Sequence, residues 1–154
     1  MFTLLNKIKP FVILLCILFL SACGASSETS TFLKTFSLDA DAEDLNITEV
    51  YNSYKGIPYE GEALYTITST PNISFMPSDW NDLPLSDELK LFLYDNSIGE
   101  GSKADKIGLP DIASGKWKFV DRGNTTFSSS SSYNFSLCIF DEQNNIIYYY
   151  KIDT

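Results

Sequence analysis

The chain has 154 residues, 11 lysines and arginines against 20 aspartates and glutamates, no histidine and three cysteines, for a formal charge of −9. That length fits one domain, and at 44% hydrophobic the chain is too apolar to be disordered throughout. The acidic balance argues against nucleic acid as a partner, and the lack of histidine removes Ser-His and Cys-His pairs and His-ligated zinc or haem.

The N-terminus reads MFTLLNKIKPFVILLCILFLSAC. Lys7 and Lys9 supply a positive segment, Phe11 to Leu20 is an unbroken apolar run, and small residues follow. This is the layout of a secretory signal. A spanning helix needs roughly 20 apolar residues, and Ser21-Ala22-Cys23-Gly24 is a poor continuation.

Leu20-Ser21-Ala22-Cys23 resembles the lipobox of bacterial lipoproteins at every position. The resemblance implies a diacylglyceryl group on the Cys23 thiol and signal cleavage between Ala22 and Cys23. It also implies a protein anchored by palmitate-class chains to the outer side of the cell membrane. Each buried methylene contributes ~0.8 kcal/mol, so two long chains anchor in effect permanently. Processing would remove residues 1–22 with Lys7 and Lys9, leaving 132 residues and a charge of −11. A chain so acidic is repelled by anionic headgroups, so the acyl chains rather than the protein surface are expected to hold it. Cys16 leaves with the signal and Cys23 is acylated, so Cys138 stands alone and is read as a small, partly buried strand residue without redox chemistry.

Residues 24–44 open with small and hydroxyl residues and close on Asp39-Ala40-Asp41-Ala42-Glu43-Asp44. They read as a tether lifting the domain off the bilayer, although Phe32, Leu33, Phe36 and Leu38 are too apolar for a pure linker, so part of the segment is expected to dock. The acids mimic the start of an EF-hand loop. Counted from Asp39, however, the sixth position is Asp44 rather than Gly and the twelfth is Val50 rather than Glu, so no metal is expected.

Ile47 to Tyr54 is read as a strand, with a helix capped by Asp44 as the alternative. Glu62 to Ser69 alternates as a strand. Ser86 is a natural N-cap for a short helix with Asp87 and Glu88 in its first turn and Leu89, Phe92 and Leu93 on its apolar face. A weaker helical turn spans Lys103 to Ile107 before Gly108.

The C-terminal third carries the strongest strand pattern. Trp117 and Phe119 alternate with Lys116 and Lys118. Tyr133, Phe135, Leu137 and Ile139 oppose Asn134, Ser136 and Cys138, and Ile146 to Ile152 returns after a polar turn. Alternation sends Tyr149 to the face opposite Tyr148 and Tyr150, near Cys138 or Phe140. That second face is expected to be covered by the helix rather than left open for a sugar or protein. The expected fold is α+β, a small antiparallel sheet of about five strands with one short helix packed on it, with an all-β sandwich as the alternative. The expected organisation is signal 1–22, lipidated cysteine and tether 23–44, and one globular domain 45–154.

No catalytic residue is assigned. Glu60 and Glu62 flank Gly61 and would share a strand face, the minimum pair for glycoside hydrolysis, but same-face acids are normally just solvated. Ser128 to Ser132 reads as a flexible loop, and no serine sits in a nucleophile motif. Asn-x-Ser/Thr sequons at Asn46, Asn72, Asn124 and Asn134 are chance in a bacterial chain. The segments DWNDLPLS, KWKFVDR and YNFSLCIFDEQNNIIYYYKIDT give the part from about Trp80 to Thr154 a resemblance to small exported proteins of Gram-positive bacteria, a group that implies no known activity.

The reading is therefore a lipid-anchored, extracytoplasmic, non-catalytic binding domain without cofactor. Its partners are the membrane through its anchor and an unidentified protein or glycan. The alternatives are a small carboxylate-dependent hydrolase and an exclusion or immunity lipoprotein.

Overall fold

The computed structural model describes residues 27–56, 60–69, 73, 76–96, 101–123, 125, 127 and 132–154. The first described residues, 27–36, are helical and are labelled α1. Thr29, Phe32, Leu33 and Phe36 give this segment the i, i+3, i+4, i+7 spacing of a one-sided helix. Beyond it a short turn, Ala42–Asp44, leads into β1 (Leu45–Asn52) and β2 (Gly61–Ser69), then β3 (Asn81–Asp82). Helices α2 (Asp87–Tyr94) and α3 (Lys103–Ile107) follow, and the chain closes with β4 (Gly115–Asp121), β5 (Asn134–Asp141) and β6 (Ile146–Asp153). The strands form one sheet in the order β1-β2-β6-β5-β4-β3, antiparallel throughout.

Local chemistry sets the joints. Asp141 closes the β5–β6 turn by accepting from the Asn144 backbone N–H at 3.1 Å and from its side-chain amide at 2.7 Å. Asn145 holds φ at 54°, a left-handed conformation that Asn tolerates. Gly61 is required where β2 starts: its φ is 152°, and a Cβ there would come within 2.5 Å of the Tyr54 Cα. Ser86 Oγ accepts from the Leu89 N–H at 3.4 Å to cap α2. Ser102 and Asp105 form a reciprocal capping box on α3, and Gly108 ends it in the left-handed region.

Pleating splits the strands between two buried faces. Ala63, Tyr65, Ile67, Cys138, Ile147 and Tyr149 face one side, against Phe32 and Phe36 of α1. Leu64, Phe135, Leu137, Ile139, Tyr150 and Ile152 face the other, against Leu89 and Leu93 of α2 and Ala104 and Ile107 of α3. Phe135 and Leu137 are fully buried on β5, an interior strand.

Four expectations change. Among the described residues the strands number six rather than five, because Asn81 and Asp82 pair with Trp117 and Lys116 as a two-residue edge too short to leave a pattern. They form a single sheet, so the two-sheet sandwich does not arise. The part of the tether expected to dock is a helix, α1, with Phe32 completely buried, so the packed residues begin before residue 45. The second face is covered as expected, but by α1 rather than by the helix after Ser86, which lies on the opposite side. Two finer readings also resolve: Leu45–Asn52 is a strand, bulged between Glu49 and Tyr51, and Cys138 is buried outright.

Candidate functional site

Both features with chemical content lie on the α2/α3 face. The first is an apolar groove of about 490 Å³ between α2 and the segment entering β4, within the range typical of small-ligand sites. Leu83 and Leu85 form one wall, Ile112 and Ala113 the other, Ile139 the floor, and Lys90 and Asp111 bring one charge of each sign. Sequence places these residues well. The buried Leu89 and Leu93 turn α2 onto the sheet, which leaves Lys90 and Tyr94 on its flank. The Leu83 N–H donates to the Gly115 carbonyl at 2.9 Å, tying one wall to β4. Tyr94 Oη donates to the Pro110 carbonyl at 3.0 Å and bridges α2 to the opposite wall. Burial, then the Asp111 carboxylate, pushes the Tyr94 phenol up to about 12, so it stays protonated and keeps that bond at neutral pH.

The second feature is a buried carboxylate. Glu62 is 6% exposed, and its oxygens accept from Lys103 Nζ at 2.9 Å, Lys106 Nζ at 3.4 Å and Tyr150 Oη at 2.5 Å. Burial alone would raise the Glu62 carboxyl. The Tyr150 hydroxyl and the two ammonium groups outweigh it and hold the group below its ordinary value. Burial and then Glu62 itself push the Tyr150 phenol upward. The cluster therefore holds Glu62 ionised with both oxygens engaged, and it joins α3 to β2 and β6.

The Glu60/Glu62 pair does not converge. The strand begins at Gly61; Glu60 is exposed and bridges through its backbone to Lys55, while Glu62 turns inward under α3. Asp39 to Asp44 form an extended approach and the short turn before β1. Among the sequon asparagines, Asn46 is exposed on β1 and Asn134 half-buried on β5. Ala22 and Cys23, the serines at 128–131, Asn72 and Asn124 lie outside the described residues.

Cys138 faces α1, and burial raises its thiol well above the ordinary value. Among the described residues, no helix is long and apolar enough to cross a membrane.

Neither the groove nor the Glu62 cluster was assembled from sequence. Lys103 and Lys106, three apart on one helix face, were the one local signal for a buried acid; their partner lies some forty residues away. The groove lining comes from four separated segments that share no local pattern. No family model, curated protein or solved structure matches the chain.

Proposed function

We propose that this is a bacterial lipoprotein, anchored through Cys23 on the outer side of the cell membrane, whose α+β domain is a non-catalytic binding module. The observation that carries the binding role is the groove beside α2. Its walls are aliphatic, its charged groups are one lysine and one aspartate, and it holds no nucleophile paired with a base. Such a surface takes an apolar group, with Lys90 and Asp111 reading polar atoms beside it. The buried carboxylate of Glu62 is committed to Lys103, Lys106 and Tyr150, and this favours binding over carboxylate-dependent hydrolysis. The lipobox at residues 20–23 carries the anchor.

Two experiments test the parts separately. Anilinonaphthalene sulfonate titrated into the soluble domain should bind saturably with one-site stoichiometry. Ala113→Trp, which fills the groove from an exposed wall position, should abolish that binding without lowering the melting temperature. Unchanged binding by the variant would remove the groove from the reading. For the anchor, cells fed a fatty-acid analogue should label the wild-type chain and leave Cys23→Ala unlabelled; label on the variant would overturn the lipoprotein assignment.

A further inference from the structure

Resting on the lipidation of Cys23, we infer that the domain lies against the bilayer with one defined end of its sheet, rather than hanging from a tether, and that the surface it meets there is the lipid headgroup layer. Two independent observations lead to this, one of chain length and one of charge.

Few residues separate Cys23 from α1. Its first described residue, Ser27, is four residues beyond Cys23, and four residues reach at most about 14 Å even when fully extended. The first described turn of α1 is fixed to the domain. Thr29 and Phe32 are buried, and Glu28 pairs with Lys151. The Lys151 ammonium also sits 5.3 Å from the ring centroids of both Tyr54 and Tyr65. Lys151 lies near the end of β6, where β1 also finishes and β2 and β5 begin: Asn52 pairs with Ala63, and Asp153 with both Gly61 and Asn134. The acylated cysteine is therefore held close to this end of the sheet. The long tether expected of residues 23–44 is shortened to a few residues.

The charge argument concerns the two ends of the sheet. Nine lysines and arginines follow residue 22. Five of them, Lys55, Lys103, Lys106, Arg122 and Lys151, belong to the end near α1's start or to the Glu62 cluster beside it. Among the described residues they stand against Glu28, Glu60, Glu62, Asp105, Asp121 and Asp153, a nearly balanced set. The opposite end is not balanced. Asp39, Asp41, Glu43 and Asp44 precede β1 there, Asp82 and Asp111 precede β4, and Asp141 and Glu142 open the β5–β6 turn, with Lys116 and Lys90 the cations among them. An anionic leaflet repels the second end far more than the first. Both arguments place the same end on the membrane, and the groove beside Ala113, which adjoins the start of β4, is then turned toward the medium.

The test uses the full lipidated chain in phosphatidylglycerol-containing vesicles, with a fluorophore on a single introduced cysteine and a headgroup-depth nitroxide lipid as quencher. Ser132→Cys reports the near end and Gln143→Cys the β5–β6 turn, about 24 Å away along β5. Quenching at position 132 should exceed that at position 143 several-fold. Inserting ten Gly-Ser residues after residue 26 should reduce the signal at 132 toward that at 143. Equal quenching at both positions in vesicle-bound, mass-confirmed lipidated protein would overturn the orientation while leaving the anchor intact. Protein that lacks the lipid mass and stays in the supernatant would overturn the anchor, and the orientation with it.

Discussion

The sheet is covered on one face by α1 together with the buried Ile73 and Trp80, and divided on the other between two short helices that leave a groove of about 490 Å³ and enclose a charge cluster. On the α1 face the rings of Phe32 and Phe36 pack at 5.4 and 5.8 Å from Tyr149, and Tyr149 stacks on Tyr65 at 5.8 Å. On the other face α2 and α3 are eight and five residues long, too short to stand without tertiary contacts, and α3 is held by Glu62 as much as by Ala104 and Ile107. The α1 face is dominated by aromatic packing, and the divided face holds the groove proposed to bind.

The largest effects should come from emptying each face. Phe32→Ala should cost about 3–5 kcal/mol and Leu137→Ala about 2–5 kcal/mol, large shares of a typical domain's stability. Both are read from urea melts of the soluble domain. A loss below about 0.5 kcal/mol for Phe32→Ala, the size of a surface change, would return residues 27–36 to the tether and leave the Tyr149 face uncovered.

Glu62→Gln comes next and concerns only the divided face. Removing the charge that pairs Lys103 and Lys106 should cost about 1–3 kcal/mol at pH 7. The folded-state value of Glu62 is depressed, so its contribution is fully present above the unfolded carboxyl value of about 4.3 and is lost as pH falls through the lower folded value. The variant should therefore melt with a flatter pH profile than wild type below about pH 4.3. Parallel profiles would mean that α3 is held by apolar contacts alone.

Much of this comparison was legible in the sequence. Ser86 with Asp87 and Glu88 marked α2, Gly108 marked the end of α3, and period-two alternation gave β5 and β6 their faces, including Tyr149 opposite Cys138. The first helix was not read, although Thr29, Phe32, Leu33 and Phe36 carry its period. Its serines and threonines are poor helix formers, and the sheet face that stabilises it is contributed by strands far along the chain. β3 is two residues held by pairing to β4, with nothing local to read. The groove and the Glu62 contacts are long-range by construction.

The smallest effect is expected for Cys138→Ala, on the α1 face. Burial raises its thiol, so iodoacetamide should alkylate the folded domain slowly at neutral pH. Cys138→Ala should cost about 1 kcal/mol for the lost apolar contact. Cys138→Ser should cost somewhat more, because it puts a hydroxyl among apolar side chains, roughly 1–3 kcal/mol if unpaired. Rapid labelling of native protein would show that α1 opens readily.

The account turns on α1 being part of the domain, and amide hydrogen exchange on the full-length chain tests that most directly. Amides from residue 31 to residue 36, whose helical bonds lie within the described segment, should exchange slowly, at protection comparable to the interior strands β5 and β6. Exchange of this segment at the rate of an unstructured peptide, with β5 and β6 still protected, would contradict the account.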